Sequence, residues 1–226
     1  MGVFKNVEEY KEWINKQDWY QTINLKNGLI TPGKFSTHSR IKYLEQIDFR
    51  NKRVLDIGCN SGQYCLMAKK LGAGEVVGVD IDEKRLRQAE TLAQNEDLEI
   101  TYIKKSLFEL EDLGQFEIVL CIAVLTEITD FFGAVKVLRK IIGNYAFLEL
   151  ALARPILYMS HSKKWLRGNS HFSRRKAVTE VRQTKRGDWV ISPSYEILQA
   201  MFGDKFRLQK KGSGIRYDMV EVFREK

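Results

Sequence analysis

Apolar residues recur along this chain with two periods, and the switches between them mark out the elements. Val3, Phe4, Val7, Tyr10, Trp13 and Ile14 fall at spacings of three and four, which predicts an amphipathic helix over residues 3–17. Trp19 to Lys34 holds two turn dipeptides, Asn27-Gly28 and Pro32-Gly33, between short alternating runs, and predicts a hairpin-like or irregular loop. A helix over 37–47 follows, with Ile41, Leu44 and Ile47 inward. From there, runs suited to buried strands alternate with helical runs. The strands are expected at 54–57, 75–80, 98–103, 116–123 and 145–152, the helices at 63–71, 83–93 and 132–142. That alternation predicts an α/β fold with a doubly wound, mostly parallel sheet and helices on both faces.

After Arg154-Pro155 the periodicity stops, and residues 156–188 read as an insertion. Ser192-Pro193-Ser194-Tyr195-Glu196 has the form of a helix start, with Ser192 as N-cap and Pro193 at the first helical position, running to about Met201. Phe206–Lys210 and Tyr217–Phe223, joined through Gly212-Ser213-Gly214, predict a closing antiparallel hairpin. The 226 residues fit a single domain over 1–226, with N-terminal helices and a lid loop in 1–50.

Charge changes this picture at one place. The formal net charge is +8, and between Ser160 and Asp188 nine basic residues face two acidic ones. Nearly all the excess therefore sits in the insertion, interleaved with Trp165, His171 and Phe172. Such a mixture suits phosphate neutralisation with base stacking. It equally suits capture of a smaller anion, or a solvated charged face. No apolar run approaches a membrane span, so no membrane partner and a cytoplasmic address are expected. The three cysteines, Cys59, Cys65 and Cys121, show no C-x-x-C spacing, and the histidines lack a paired ligand, so no metal site is expected.

The chemistry concentrates in Arg53-Val-Leu-Asp56-Ile-Gly58-Cys-Asn60-Ser-Gly62. A buried strand ends at Asp56, glycines bracket a tight turn, and a helix start adds N–H groups and a positive dipole end. The next strand ends at Asp80, 24 residues after Asp56, where a carboxylate is placed to accept the hydroxyls of a ribose. A dinucleotide fingerprint would carry glycine at position 56. A carboxylate there suits a cationic ligand and repels a pyrophosphate.

Asp56-x-Gly58-x-Asn60-x-Gly62 with Asp80 resembles the nucleoside-binding motifs of class I S-adenosylmethionine (SAM)-dependent methyltransferases. The resemblance implies that the turn packs on the methionine part of SAM and that Asp80 holds its ribose. Ile81 and Ser106 would lie along the adenosine, with Leu107 or Phe108 against the ring. The stretches Trp19–Arg40, Phe116–Leu125 and Ser192–Tyr195 are similar to the tRNA wobble-uridine (carboxy)methyltransferase branch. Members that use a carboxylated donor hold its extra carboxylate with a lysine, a tyrosine and an arginine. The matching positions here are Gln21, Thr126 and Arg216, which favours ordinary SAM.

The resemblance also directs the residues after the fourth strand, Leu125-Thr126-Glu127, toward the transferred methyl group. Glu127 is the carboxylate placed to act as general base, if the acceptor must lose a proton. Its rival role is to cap or pair with the next helix. Trp19, Tyr20, Lys34, His38 and Arg40 on the lid side, and Arg174 and Arg175 in the insertion, are the expected acceptor contacts. Trp19 and Tyr20 have the alternative of closing the core. The expected function is methyl transfer to an anionic acceptor, RNA (tRNA-like) or a phosphorylated small molecule or glycan. The alternative is a non-catalytic Rossmann-like module that binds nucleoside or RNA.

Overall fold

The computed structural model of the protein describes residues 3–34, 38–153, 179–183, 188–213 and 217–225. It divides into two compact units, residues 1–120 and 121–226. The first opens with α1 (Val7–Lys16), started by the Asn6 side chain, which accepts the Glu9 N–H at 2.9 Å. The Trp19 indole N–H donates to the Ile14 carbonyl at 2.7 Å and closes the other end. The loop that follows is a small hairpin: Leu25 N–H donates to Leu29 and Thr31 N–H to Ile23, around Asn27 and Gly28 at positive φ. Tyr10, Ile14, Trp19, Ile23 and Leu25 form one buried cluster with Leu66, Leu92 and Ala93. α2 (His38–Leu44) leads into the sheet.

β1 (Arg53–Ile57), β2 (Glu75–Asp80) and β3 (Thr101–Lys104) are parallel neighbours. α3 (Gln63–Lys70) and α4 (Glu83–Asn95) are the crossovers between them. β3 starts three residues later than its apolar run suggests, because Leu98 N–H still bonds back to Ala93 and Asp97 adopts φ 56° in leaving α4. β4 (Phe116–Ile122) straddles the boundary between the units. The seven-stranded sheet has the order β3-β2-β1-β4-β5-β9-β8, a mostly parallel α/β arrangement ending in an antiparallel pair.

In the second unit α5 (Phe131–Ile141) runs directly into β5 (Ile142–Leu150). β6 (Thr179–Gln183) and β7 (Trp189–Pro193) form a separate antiparallel pair. The pair places a strand, β6, at the end of the basic stretch, and it corrects one expectation. Ser192 and Pro193 are not a helix start, because they pair with Glu180 and Thr179 in the ribbon. The cap is Ser194, whose hydroxyl accepts the Ile197 N–H, and α6 runs Tyr195–Phe202. β8 (Phe206–Ser213) and β9 (Asp218–Arg224) supply the closing hairpin. Among the described residues, no helix is long and apolar enough to cross a membrane.

Candidate functional site

Parallel pairing of β1 with β2 sets Asp56 opposite Gly78 and Ile57 opposite Val79, so both acidic residues lie at neighbouring carboxyl ends. The turn after β1 then folds over the end of β2. Gly58 and Cys59 both donate their N–H to the Val79 carbonyl, at 2.8 and 3.0 Å. Asn60 N–H donates to Asp80 Oδ2 at 2.8 Å, Ser61 N–H to Asn60 Oδ1 at 2.8 Å, and Gly62 N–H to the Cys59 carbonyl at 2.9 Å. Gly58, Asn60 and Gly62 take φ of 69°, 51° and 82°, the left-handed region that favours glycine and tolerates asparagine. Gly62 also has no room for a side chain, since a Cβ would stand 2.5 Å from the Tyr102 hydroxyl.

This geometry sorts the ligands. Every N–H from Gly58 to Gly62 already has an acceptor inside the protein, so the turn is not a phosphate-binding nest of free amides. Asp80 takes one backbone N–H on each oxygen, from Asn60 and from Asp82 at 2.9 Å. An ionised carboxylate has about four lone-pair sites, so both oxygens keep acceptor capacity for a ribose diol. Ile81, 69% exposed, and Phe108, 43% exposed, are apolar surfaces open to solvent, as a nucleobase face requires. α3 starts at Gly62, which has no side chain to cap it.

Beneath the turn lies a closed polar cluster. Asp56 is 1% exposed and accepts from the Cys65 thiol at 3.3 Å. Burial pushes its carboxyl up to about 7, the Cys65 hydrogen bond pulls the other way, and the charge of Asp80 adds to the rise. Burial likewise raises the Cys65 thiol and the Tyr102 phenol well above their ordinary values. The residues present therefore fit a cationic nucleoside such as SAM: a buried carboxylate that gains from a nearby cation, a ribose acceptor, and apolar flanks.

The remaining sequence candidates are placed as follows. Ser106 caps a short 3-10 helix over Leu107–Leu113, accepting from Phe108 N–H while Glu109 reaches back to the Ser106 N–H. Trp19 is buried in the N-terminal cluster, which leaves Tyr20, 46% exposed, as the surface ring of that pair. Lys34 is exposed, Arg40 is half-buried, and His38 opens α2. Arg174 and Arg175, with His161 and His171, lie outside the described residues. In the second unit, Ala123 turns the chain after β4 at φ 61°, and the Thr126 hydroxyl donates to its carbonyl at 2.8 Å. Glu127 is exposed, and its rival role as helix cap belongs to Asp130, which accepts the Gly133 N–H at 2.8 Å. Among the described residues no cluster suits a metal ion.

Sequence reading passed over Ser61, Arg85 and Gln88. The available signal was a glutamine interrupting the apolar stripe of α4, buried to 2% exposure.

Residues 54–142 match the family described as a methyltransferase domain. The chain is 32% identical over 148 residues to the ribosomal protein L11 methyltransferase of Fusobacterium nucleatum, which covers 59% of this chain and 47% of that protein. It is 33% identical over 116 residues to the ubiquinone biosynthesis O-methyltransferase of Coxiella burnetii, covering 50% of this chain and 47% of that one. It thus spans about half the length of these curated relatives. Among solved structures, the N-terminal domain of EvdMO1, determined in the presence of S-adenosylhomocysteine (SAH) and D-fucose, superposes with a TM-score of 0.70 at 15% identity over 100% of both chains. The SAM-bound magnesium protoporphyrin IX methyltransferase of Synechocystis gives 0.56 at 19% identity, covering 83% of this chain and 77% of that one. At such identities the likeness speaks for the fold. Sequence match and sheet order agree: residues 54–142 are similar to methyltransferase domains in sequence, and they lie in a sheet of the order that fold carries.

Proposed function

We propose that this protein transfers a methyl group from SAM to an anionic acceptor. The observation that carries the donor half is the turn from Gly58 to Gly62, whose amides are all used internally while Asp80 keeps both oxygens open. Bound SAM supplies a methyl carbon activated by a positively charged sulfur. Asp80 accepts from the ribose hydroxyls, Asp56 offsets positive charge below the turn, and Ile81 and Phe108 flank the base. With such a donor the protein's work is alignment and exclusion of water. Glu127 accepts the proton of the acceptor where one must leave. Gln21 and Thr126, both buried, stand where the resembled carboxymethyl-transferring branch carries a lysine and a tyrosine, which supports ordinary SAM as donor.

The acceptor reading rests on the nine basic residues between Ser160 and Asp188. RNA, by likeness to the tRNA wobble-uridine branch, is the first reading. A phosphorylated small molecule or glycan is the second, and the relative named for ubiquinone biosynthesis is in keeping with a small-molecule acceptor in general. The test is methyl transfer from labelled SAM to total RNA and to an RNase-treated small-molecule and glycan extract. Label in RNA that disappears in Arg174→Glu/Arg175→Glu supports the first reading, and label confined to the second pool supports the second. Asp80→Ala is expected to weaken SAM binding about a hundredfold or more, since two hydrogen bonds to a charged group are lost. Undiminished affinity in calorimetry rejects the site. SAM binding without transfer to either pool turns the reading to the non-catalytic module.

A further inference from the structure

The buried face of α4 carries more than apolar packing needs. Leu86, Ala89, Leu92 and Ala93 form its stripe, and Gln88 is buried among them. A buried glutamine costs stability unless its amide is used on both ends. Gln88 spends the two ends on different segments. Its Oε1 accepts from the Ser61 hydroxyl at 2.9 Å and from Arg85 at 3.1 Å. Its Nε2 donates to the Asp18 carbonyl at 3.1 Å. Arg85 donates to the same carbonyl and reaches the Asp18 carboxylate at 3.2 Å. Ser61 is a fully buried member of the cofactor turn, and Asp18 immediately precedes Trp19 and Tyr20. One side chain thus joins that turn to the start of the segment bearing the exposed Tyr20 ring.

We propose that Gln88 is a positioning residue that couples occupancy of the nucleoside turn to the placement of the segment from Trp19 to Thr31. The proposal rests on reading the turn as the SAM site. The far end of the segment is also tied to α4: Lys26 N–H donates to Glu96 at 2.8 Å and Lys26 Nζ pairs with Asp97 at 2.8 Å. Between these two ties lie Tyr20 and Gln21, the latter with a buried Oε1 that has no hydrogen bond among the described residues. A ligand that stills Ser61 stills Gln88, and with it the Asp18 carbonyl from which the hairpin hangs. The acceptor-facing segment is then ordered by the donor before the acceptor arrives. A Gln88 of purely structural value would steady the segment equally with and without ligand.

The test is amide hydrogen exchange at Ile23, Leu25 and Thr31, whose N–H groups all bond within the hairpin, with and without saturating SAH. In the wild type SAH is expected to slow exchange about tenfold, the scale of one net hydrogen bond. In Gln88→Met, close in volume, and in Ser61→Ala, the SAH-dependent slowing falls below about twofold, and the double variant loses no more than either single one. Equal slowing in wild type and Gln88→Met overturns the proposal, as does an acceleration in Gln88→Met that is the same with and without SAH. A wild type that does not bind SAH overturns the underlying site reading instead. If Gln88→Met loses its cooperative melt, Gln88→Glu decides. It keeps the acceptor for Ser61 and Arg85 but not the donor to Asp18, so it should bind SAH without slowing the hairpin, and wild-type slowing in it overturns the coupling.

Discussion

Replacing Asp56 by asparagine isolates the electrostatic cost of the cofactor turn. Asp56 is 1% exposed, and burial holds its carboxyl at about 7 against an ordinary 3.8. A folded state that holds its proton more tightly than the unfolded chain loses stability as pH rises between those two values. Roughly three pH units at 1.36 kcal/mol each make the cost of ionising Asp56 in the fold ~4 kcal/mol above pH 7. It is absent below about pH 4, where the side chain is protonated in both states. Asp56→Asn removes the charge and retains an acceptor for the Cys65 thiol, at a loss of at most ~1 kcal/mol. Urea unfolding of the unliganded protein should therefore find the variant ~3 kcal/mol more stable than wild type at pH 8, and level with it or slightly weaker at pH 4. SAM binding should move the other way: wild-type affinity rises through pH 7 as the carboxylate ionises beside a cation, and the variant's does not. Parallel stability curves for the two proteins, or a variant less stable at pH 8, would refute the reasoning.

Two further outcomes follow from the same geometry. Gly62→Ala forces a Cβ onto the Tyr102 hydroxyl and Ala89 at φ 82° and should cost ~2–4 kcal/mol in denaturant unfolding. Glu127→Gln should lower methyl transfer about a hundredfold at saturating donor for an acceptor that loses a proton, measured as single-turnover rate. An unchanged rate assigns the proton to another group.

Local pattern made much of this protein legible. β1, β2, α3 and β4 lie within a residue or two of where periodicity places them, because a buried parallel strand and its crossover helix declare themselves in consecutive residues. The turn of Gly58, Asn60 and Gly62 was equally readable, since its φ values admit few other residues. Ser192 misled for a matching reason. A serine before proline suits a helix cap, but Glu180 and Thr179 claim that stretch for a strand pair, and the cap passed to Ser194. Pairing partners distant in sequence outrank a local signal.

What stayed hidden depends on which distant groups meet. No spacing rule announces that Asp18, Ser61 and Gln88 share one amide, or that Trp19 turns inward onto Ile14 while Tyr20 faces out. The carboxylate of Asp56 was visible as a letter, but its proton affinity is a property of what surrounds it. The chain's order thus decides its elements and its turn, because these rest on backbone torsions and short-range periodicity. Burial, charge and the ties between segments are many-body quantities, and they exist only once the chain has closed on itself.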